Sequence, residues 1–232
     1  MYGTVFKMHS KTKYDMRFTE GSTHLMVGAS GSGKTTRMYE YLKLKNELFE
    51  NGEDIHHVIF YYSVWQTDYT RMQEEGLVQE FVNAFPTNEE FLTRVRNHPR
   101  TICILDDAMS HISRDLVEIV TVSARHSKAT TFILFQSLFP AHPLARQISL
   151  NVKYFHLFKN PRENAQIQIL ARQLKPEGYK YIVEAYHAAT AQPFSCFLVD
   201  LMQKTHDQLR YRSNILPREW PMIAWVKKGT VI

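Results

Sequence analysis

The chain has 232 residues, 44% of them hydrophobic and 22% charged, enough for one large α/β domain or one domain with a small appendage. Its 28 Lys+Arg against 23 Asp+Glu leave a formal charge of +5, which permits an acidic partner such as nucleic acid without requiring one. The N-terminal segment scatters His9, Lys11, Lys13, Asp15 and Arg17 with no apolar run, and no stretch approaches the length of a membrane span, so these signals exclude secretion and membrane spanning.

In chain order, Thr23–Val27 is a short apolar run suited to a buried strand. Gly28, Ala29, Ser30, Gly31, Ser32, Gly33, Lys34 and Thr35 follow it and form a complete phosphate-binding loop. Residues 36–49 favour helix, so the glycines sit at the strand-to-helix turn that the motif requires. Backbone N–H groups of such a turn converge on phosphates, and the helix N-terminus adds a favourable dipole. Gly28, Gly31 and Gly33 permit positive φ and close approach, Lys34 reaches the β- and γ-phosphates, and the Thr35 hydroxyl ligates Mg²⁺. Residues 28–36, Thr36 included, are thus assigned to a nucleoside triphosphate, ATP with Mg²⁺. The alternative, a Gly/Ser-rich turn without a ligand, explains neither the lysine nor the flanking elements.

Strands are predicted over 58–62, 101–105, 131–135, 153–158 and 194–201, and helices over Asn88–Asn97, 109–123, 163–174 and Tyr179–Ala189. Phe91 and Val95, and then Ile112, Leu116, Ile119 and Val120, lie at helical spacing. Pro176 and Gly178 part the last two helices, and 77–85 reads as an extra strand or a helix end. Strand-like runs alternating with amphipathic segments predict an α/β fold, a mostly parallel central sheet flanked by helices. No linker divides the chain, so 1–232 reads as a single domain with 202–232 as a polar, basic C-terminal tail.

The strand Ile102 to Leu105 delivers Asp106 and Asp107 at its C-terminal end, where open α/β sheets place their ligands. This is a Walker B pattern. Asp106 is expected in the Mg²⁺ shell. Asp107 stands where many motor ATPases carry a Glu that orients and deprotonates the attacking water. A strand ending in a solvated turn reads the same way, but here a phosphate loop precedes it. Gln136 ends the next strand and is placed to sense the γ-phosphate or hold that water. Arg125, ahead of that strand, is a candidate arginine finger acting in a neighbouring subunit's site, although a lone surface arginine is usually only solvated. Cys103 and Cys196 lie in apolar runs, as free buried thiols of a reducing compartment do. The eleven histidines show no HxxxH or HExxH pairing, so metal ligation by them is not expected. Trp65, Trp220 and Trp225 carry only a packing or interface reading.

Taken together, Gly-Ala-Ser-Gly-Ser-Gly-Lys-Thr (28–35), Ile-Leu-Asp-Asp-Ala-Met (104–109), Ser-Ala-Arg-His-Ser-Lys-Ala-Thr-Thr-Phe-Ile-Leu-Phe-Gln-Ser-Leu-Phe (123–139), His-Leu-Phe-Lys-Asn-Pro-Arg-Glu (156–163), Asp200 and Leu-Arg-Tyr-Arg-Ser-Asn-Ile-Leu-Pro (209–217) form a pattern. Over almost the whole chain it resembles the genome-packaging ATPases of Polinton-like and adintovirus-like double-stranded DNA viruses. These belong to the FtsK/HerA superfamily, with poxvirus- and adenovirus-type relatives. The resemblance implies a P-loop NTPase that hydrolyses ATP with Mg²⁺ and works as a homo-oligomeric ring, commonly a hexamer. Such a ring pulls duplex DNA through its pore into a capsid, whose protein is a further partner, inside the host nucleus or at a virion-assembly site. It assigns nucleotide binding to Gly33, Lys34 and Thr35, Mg²⁺ and water to Asp106 and Asp107, sensing to Gln136, and the trans-acting arginine to Arg125. Ser137 stands where the family usually has Asn. DNA would be gripped through its phosphates, with Arg210, Arg212 and Arg218 as candidates; the first two share a face if that stretch is extended. Two other classes compete: a P-loop kinase of a nucleoside or small metabolite, and a non-hydrolysing nucleotide switch. The first would need clustered lid arginines, whereas Arg146, Arg162 and Arg172 are dispersed. The second is weakened by the intact Lys34, Thr35, Asp106 and Gln136.

Overall fold

Ten short segments pair into one sheet in a computed structural model of the chain, which describes residues 3–8 and 14–227. The residues His9, Lys11 and Lys13 of the N-terminal reading, and 228–232 of the expected tail, lie outside the described residues. The strands are β1 (Gly3–Met8), β2 (Thr23–Val27), β3 (Val58–Tyr61), β4 (Glu80–Val82), β5 (Ile102–Leu105), β6 (Thr130–Phe135), β7 (Tyr154–Phe158), β8 (Cys196–Asp200), β9 (Tyr211–Ser213) and β10 (Met222–Lys227). Their order is β1-β10-β9-β8-β7-β2-β6-β5-β3-β4. From β7 to β4 every pairing is parallel, and from β7 to β1 every pairing is antiparallel.

Parallel strands need crossovers, and helices supply them: α1 (Lys34–Lys43), α2 (Lys45–Leu48), α3 (Thr67–Glu74), α4 (Asn88–Asn97), α5 (Arg114–Glu118), α6 (Ala124–Ser127) and α7 (Ala145–Asn151), while α8 (Asn164–Leu174) and α9 (Tyr179–Ala189) lie between β7 and its antiparallel neighbour β8. Because both faces are covered, every residue of β2, β3, β5, β6 and β7 is buried, which is why these strands read as unbroken apolar runs. Alternate residues feed two cores. Leu25, Cys103, Leu105, Ile133 and Phe155 pack with α4, α5 and α7 to α9 on one face, and Met26, Phe60, Ile104, Phe132 and Leu134 pack with α1 to α3 on the other. In α4, Phe91 and Val95 face the core, and a capping box starts the helix: Glu90 N donates to Thr87 Oγ1 at 3.2 Å and Thr87 N to Glu90 Oε2 at 2.9 Å. Among the described residues no helix is long and apolar enough to cross a membrane.

Several expectations need correction. The helix predicted over 109–123 is broken into a 3₁₀ turn at Ala108–His111, α5, and a π-helical turn at Ile119–Ser123 that runs into α6. Ser113 Oγ accepts from Leu116 N at 3.1 Å and so restarts the helix, and the β-branched run Ile119, Val120, Thr121, Val122 disfavours regular α-geometry. The helix expected over 36–49 starts at Lys34 and breaks at Leu44. Of the ambiguous 77–85 stretch, the strand reading holds for β4. Phe194, expected in a strand, precedes β8 in an exposed loop. The stretch 202–232 is not simply a polar tail, since β9 and β10 lie within it and carry the sheet on to β1.

A polar thread crosses the second core. Ser22 Oγ donates to Thr19 O at 2.5 Å, which leaves it to accept from His24 Nε2 at 2.8 Å. His24 Nδ1 then accepts from His156 Nε2 at 3.0 Å, and the Tyr41 hydroxyl donates to His156 Nδ1 at 3.0 Å. Both imidazoles are fully buried and neutral; burial holds His156 at about 3 and His24 well below the ordinary histidine value.

Candidate nucleotide site

The loop leaves β2 and enters α1 directly. Gly31 and Gly33 take φ of 74° and 95°, conformations that favour glycine, and a Cβ on Gly28 would stand 2.7 Å from Phe158 Cβ. Gly33 is the N-cap of α1 and no side chain caps the helix, so its first turn presents backbone N–H groups to the loop. Lys34 Nζ folds back and donates to Gly28 O at 2.7 Å and Ala29 O at 3.1 Å. Burial lowers the Lys34 pKa, and the charges of Asp106 and Asp107 oppose that shift.

Across from the loop, β5 ends in the two carboxylates. Asp106 is 4% exposed. Its Oδ2 accepts from Thr35 Oγ1 at 3.2 Å and from the Tyr69 hydroxyl at 2.6 Å, and its Oδ1 accepts from Asp107 N at 2.8 Å. Burial raises its pKa, and the Tyr69 bond opposes the rise. A buried carboxylate beside a threonine hydroxyl, held by neutral donors, is an oxygen set suited to a hard divalent cation. Asp107 takes φ of 56°, and its Oδ1 accepts from Gln136 Nε2 at 3.0 Å. This meeting follows from strand order: β6 lies between β2 and β5, so the residue after β6 falls between the loop and the carboxylates.

A cavity of ≈ 320 Å³ opens at this end of the sheet. From the loop and α1 it is lined by Ser30, Gly31, Gly33, Lys34, Thr35 and Thr36, and from the strand ends by Asp106, Asp107 and Gln136. Gly28, Ala29 and Ser32 do not line it; the carbonyls of the first two hold Lys34. Sequence reasoning missed four lining residues, Gln66, Asp68, Leu134 and Phe194, and one buttress, Tyr69. Asp68 Oδ2 accepts from Thr36 Oγ1 at 3.0 Å. No local motif marks α3; its tie to the site is visible only once Tyr69 is found against Asp106.

Arg125 is not brought to this cavity. It is exposed on α6, which leads into the start of β6, whereas Gln136 follows the end of that six-residue strand. About 20 Å of extended chain separates the two ends. The basic candidates near the C-terminus also change character. Arg212 is 1% exposed and its Nη2 meets Asp200 Oδ2 at 2.8 Å, so it faces the interior and not a DNA backbone. Arg210 pairs with Asp207 at 2.8 Å and donates to the carbonyls of Asp200 and Met202, and Arg218 pairs with Glu40 at 2.5 Å. At the opposite end of the sheet His57 and His98 stack with centroids 3.7 Å apart, and Glu80 Oε1 lies 2.8 Å from His57 Nε2. These three come from separate elements, so no spacing in the sequence shows the cluster; Glu80 also pairs with Arg94. Cys103 and Cys196 are buried and free, their thiols pushed up by burial, that of Cys196 to about 12.

No family model and no curated protein matches the sequence. Solved structures do match. B204, the DNA-packaging ATPase from Sulfolobus turreted icosahedral virus, is similar with a TM-score of 0.55 and 12% identity, over 78% of this chain and 93% of that one. The genome packaging NTPase B204 from Sulfolobus turreted icosahedral virus 2, solved with ATP-gammaS, is similar with a TM-score of 0.52 and 14% identity, over 79% of this chain and 94% of that one. At such identities the likeness is one of fold. The chain has the α/β P-loop NTPase fold, a mostly parallel central sheet flanked by helices.

Proposed function

We propose that the chain is the ATPase subunit of a viral genome-packaging motor, a P-loop NTP phosphohydrolase of the FtsK/HerA type that moves double-stranded DNA into a capsid as a homo-oligomeric ring. The observation that carries this reading is the single cavity uniting Lys34 and Thr35 with Asp106, Asp107 and Gln136. The fold shared with two packaging NTPases supports it.

In this reading Gly28 to Thr36 cradle ATP. Lys34 exchanges the carbonyls of Gly28 and Ala29 for β- and γ-phosphate oxygens. Thr35 and Asp106 hold Mg²⁺, which when bound neutralises charge on the phosphates. Tyr69 fixes the Asp106 carboxylate from behind. Asp107, held by the Gln136 amide, orients a water and accepts its proton as the oxygen attacks the γ-phosphorus, while the bond from that phosphorus to the β–γ bridging oxygen breaks and ADP leaves with phosphate. In the same reading Arg125, which does not reach its own cavity, serves the site of a neighbouring copy in the ring. DNA is held through its phosphates without regard to sequence. The motor works inside the host cell, in the nucleus or at the virion-assembly site, against a capsid protein.

Release of radiolabelled phosphate with and without duplex DNA tests the reading. Release stimulated by DNA is expected; transfer of the phosphate to a small acceptor, or no release in either condition, overturns it. Arg125→Ala is expected to lose on the order of 10³ in turnover with ATP affinity nearly intact. Mixed with Lys34→Ala, it regains activity where an intact loop meets an intact arginine. Mixtures that co-assemble by light scattering and stay inactive would return Arg125 to a structural role.

A further inference from the structure

The γ-phosphate end of a bound triphosphate belongs on the β6 and β5 side of the loop, where Gln136, Asp106 and Asp107 stand. In the order β8-β7-β2-β6-β5 the opposite flank belongs to β7 and β8, so the nucleoside end of the ligand points there. Phe194, two residues ahead of β8, lines the same cavity on that flank. It is 65% exposed, and its φ of 63° is a conformation that favours glycine. Its ring packs on the loop: a Cβ built on Gly33 would stand 3.0 Å from Phe194 Cδ1. Arg37, buried on α1 one turn beyond the phosphate loop, donates from Nη2 to the Phe194 carbonyl at 3.1 Å and pairs with Glu219 at 2.7 Å, which pins the loop in place. That contact covers only part of the ring, so packing alone does not explain a large apolar side chain, mostly exposed, on a strained backbone beside a polar cavity.

We propose that Phe194 is the platform on which the base of the bound nucleoside triphosphate stacks. The inference rests on the reading of the cavity as a nucleotide site, and it adds the recognition of the base. An aromatic face takes the flat face of a heterocycle without reading its edge, so Phe194 contributes affinity for nucleotides over inorganic phosphates.

Calorimetric titrations of the full chain with ATP and with inorganic tripolyphosphate, both with Mg²⁺, separate base from phosphate. Phe194→Ala should weaken ATP roughly ten- to hundred-fold and leave tripolyphosphate unchanged. Phe194→Trp should keep ATP affinity and show fluorescence quenched by ATP but not by tripolyphosphate. Phe194→Gly, which relaxes the backbone, should melt no lower than wild type yet bind ATP as weakly as Phe194→Ala. If Phe194→Ala weakens both ligands alike, the ring only shapes the loop at Gly33; if it weakens neither, the base lies elsewhere. Either result overturns the platform. Wild-type protein that binds neither ligand would overturn the nucleotide reading, and the platform with it.

Discussion

Asp106 and Asp200 are two carboxylates of nearly equal burial, 4% and 3% exposed, at opposite flanks of one sheet. Asp200 meets the guanidinium of Arg212, itself 1% exposed, so the antiparallel flank carries its own counter-charge. Asp106 meets two hydroxyls and a backbone N–H. Its hydrogen bonds come from neutral donors, and Lys34 acts on it as a nearby charge without an ion pair; burial outweighs these and raises its pKa. A buried acid that is ion-paired belongs to the architecture; one that is hydrogen-bonded without an ion pair, beside a cavity, is set up for a cation from outside. The thread of His24 and His156 is a third solution, burial in the neutral form.

The largest test of that contrast lies at the cavity. Lys34→Ala should abolish binding in a fluorescent-ATP titration, because the loop loses its cation, whereas Asp107→Asn should bind ATP and lose hydrolysis by about 10²-fold or more. Equal binding by wild type and Lys34→Ala would remove the loop from the site. The next test sets the two carboxylates against each other in denaturant unfolding. Arg212→Ala leaves Asp200 buried without its partner and should cost about 3–5 kcal/mol, with no dependence on nucleotide. Asp106→Ala should change the basal midpoint less and lose the stabilisation by Mg²⁺ and ATP, about 2.7 kcal/mol for wild type at a hundred times Kd. If Asp106→Ala retains that stabilisation, its burial is merely structural.

The smallest effect sharpens the third case. His24 and His156 have folded-state pKa values below the unfolded value near 6.5, so the unfolded chain binds more protons between the two. Their contribution is therefore complete above pH 6.5 and is lost as pH falls below it, that of His156 toward about 3. Unfolding midpoints measured from pH 7 to 4 should fall, and a His156→Phe variant should fall less steeply.

The parallel half of the fold was legible because burial on both faces writes continuous apolar runs into β2, β3, β5, β6 and β7. The antiparallel half was not. β9 has three residues, and β10 alternates between buried and half-buried positions, so neither leaves a run to read. Arg212 read as part of a basic tail because its burial depends on Asp200, a partner on another strand. In the site, the loop residues were readable as one contiguous motif. Tyr69 was not, since its bond to Asp106 spans 37 positions and its own helix carries no signature. Arg125 was read as a feature of another subunit's site, and its place at the start of β6 neither supplies nor removes that neighbour.

The register of β6 has a consequence for how this chain tolerates change. Val27 sits opposite Phe135 and Leu105 opposite Ile133, and alternate β6 residues feed different cores. A single-residue insertion or deletion inside β6 would swap Phe132 and Leu134 with Ile133 and Phe135 between the two faces, and would displace Gln136 by about 3.3 Å from Asp107. Packing and chemistry thus share one frame, so β6 should tolerate substitution better than any change of length, which the connections around it can absorb.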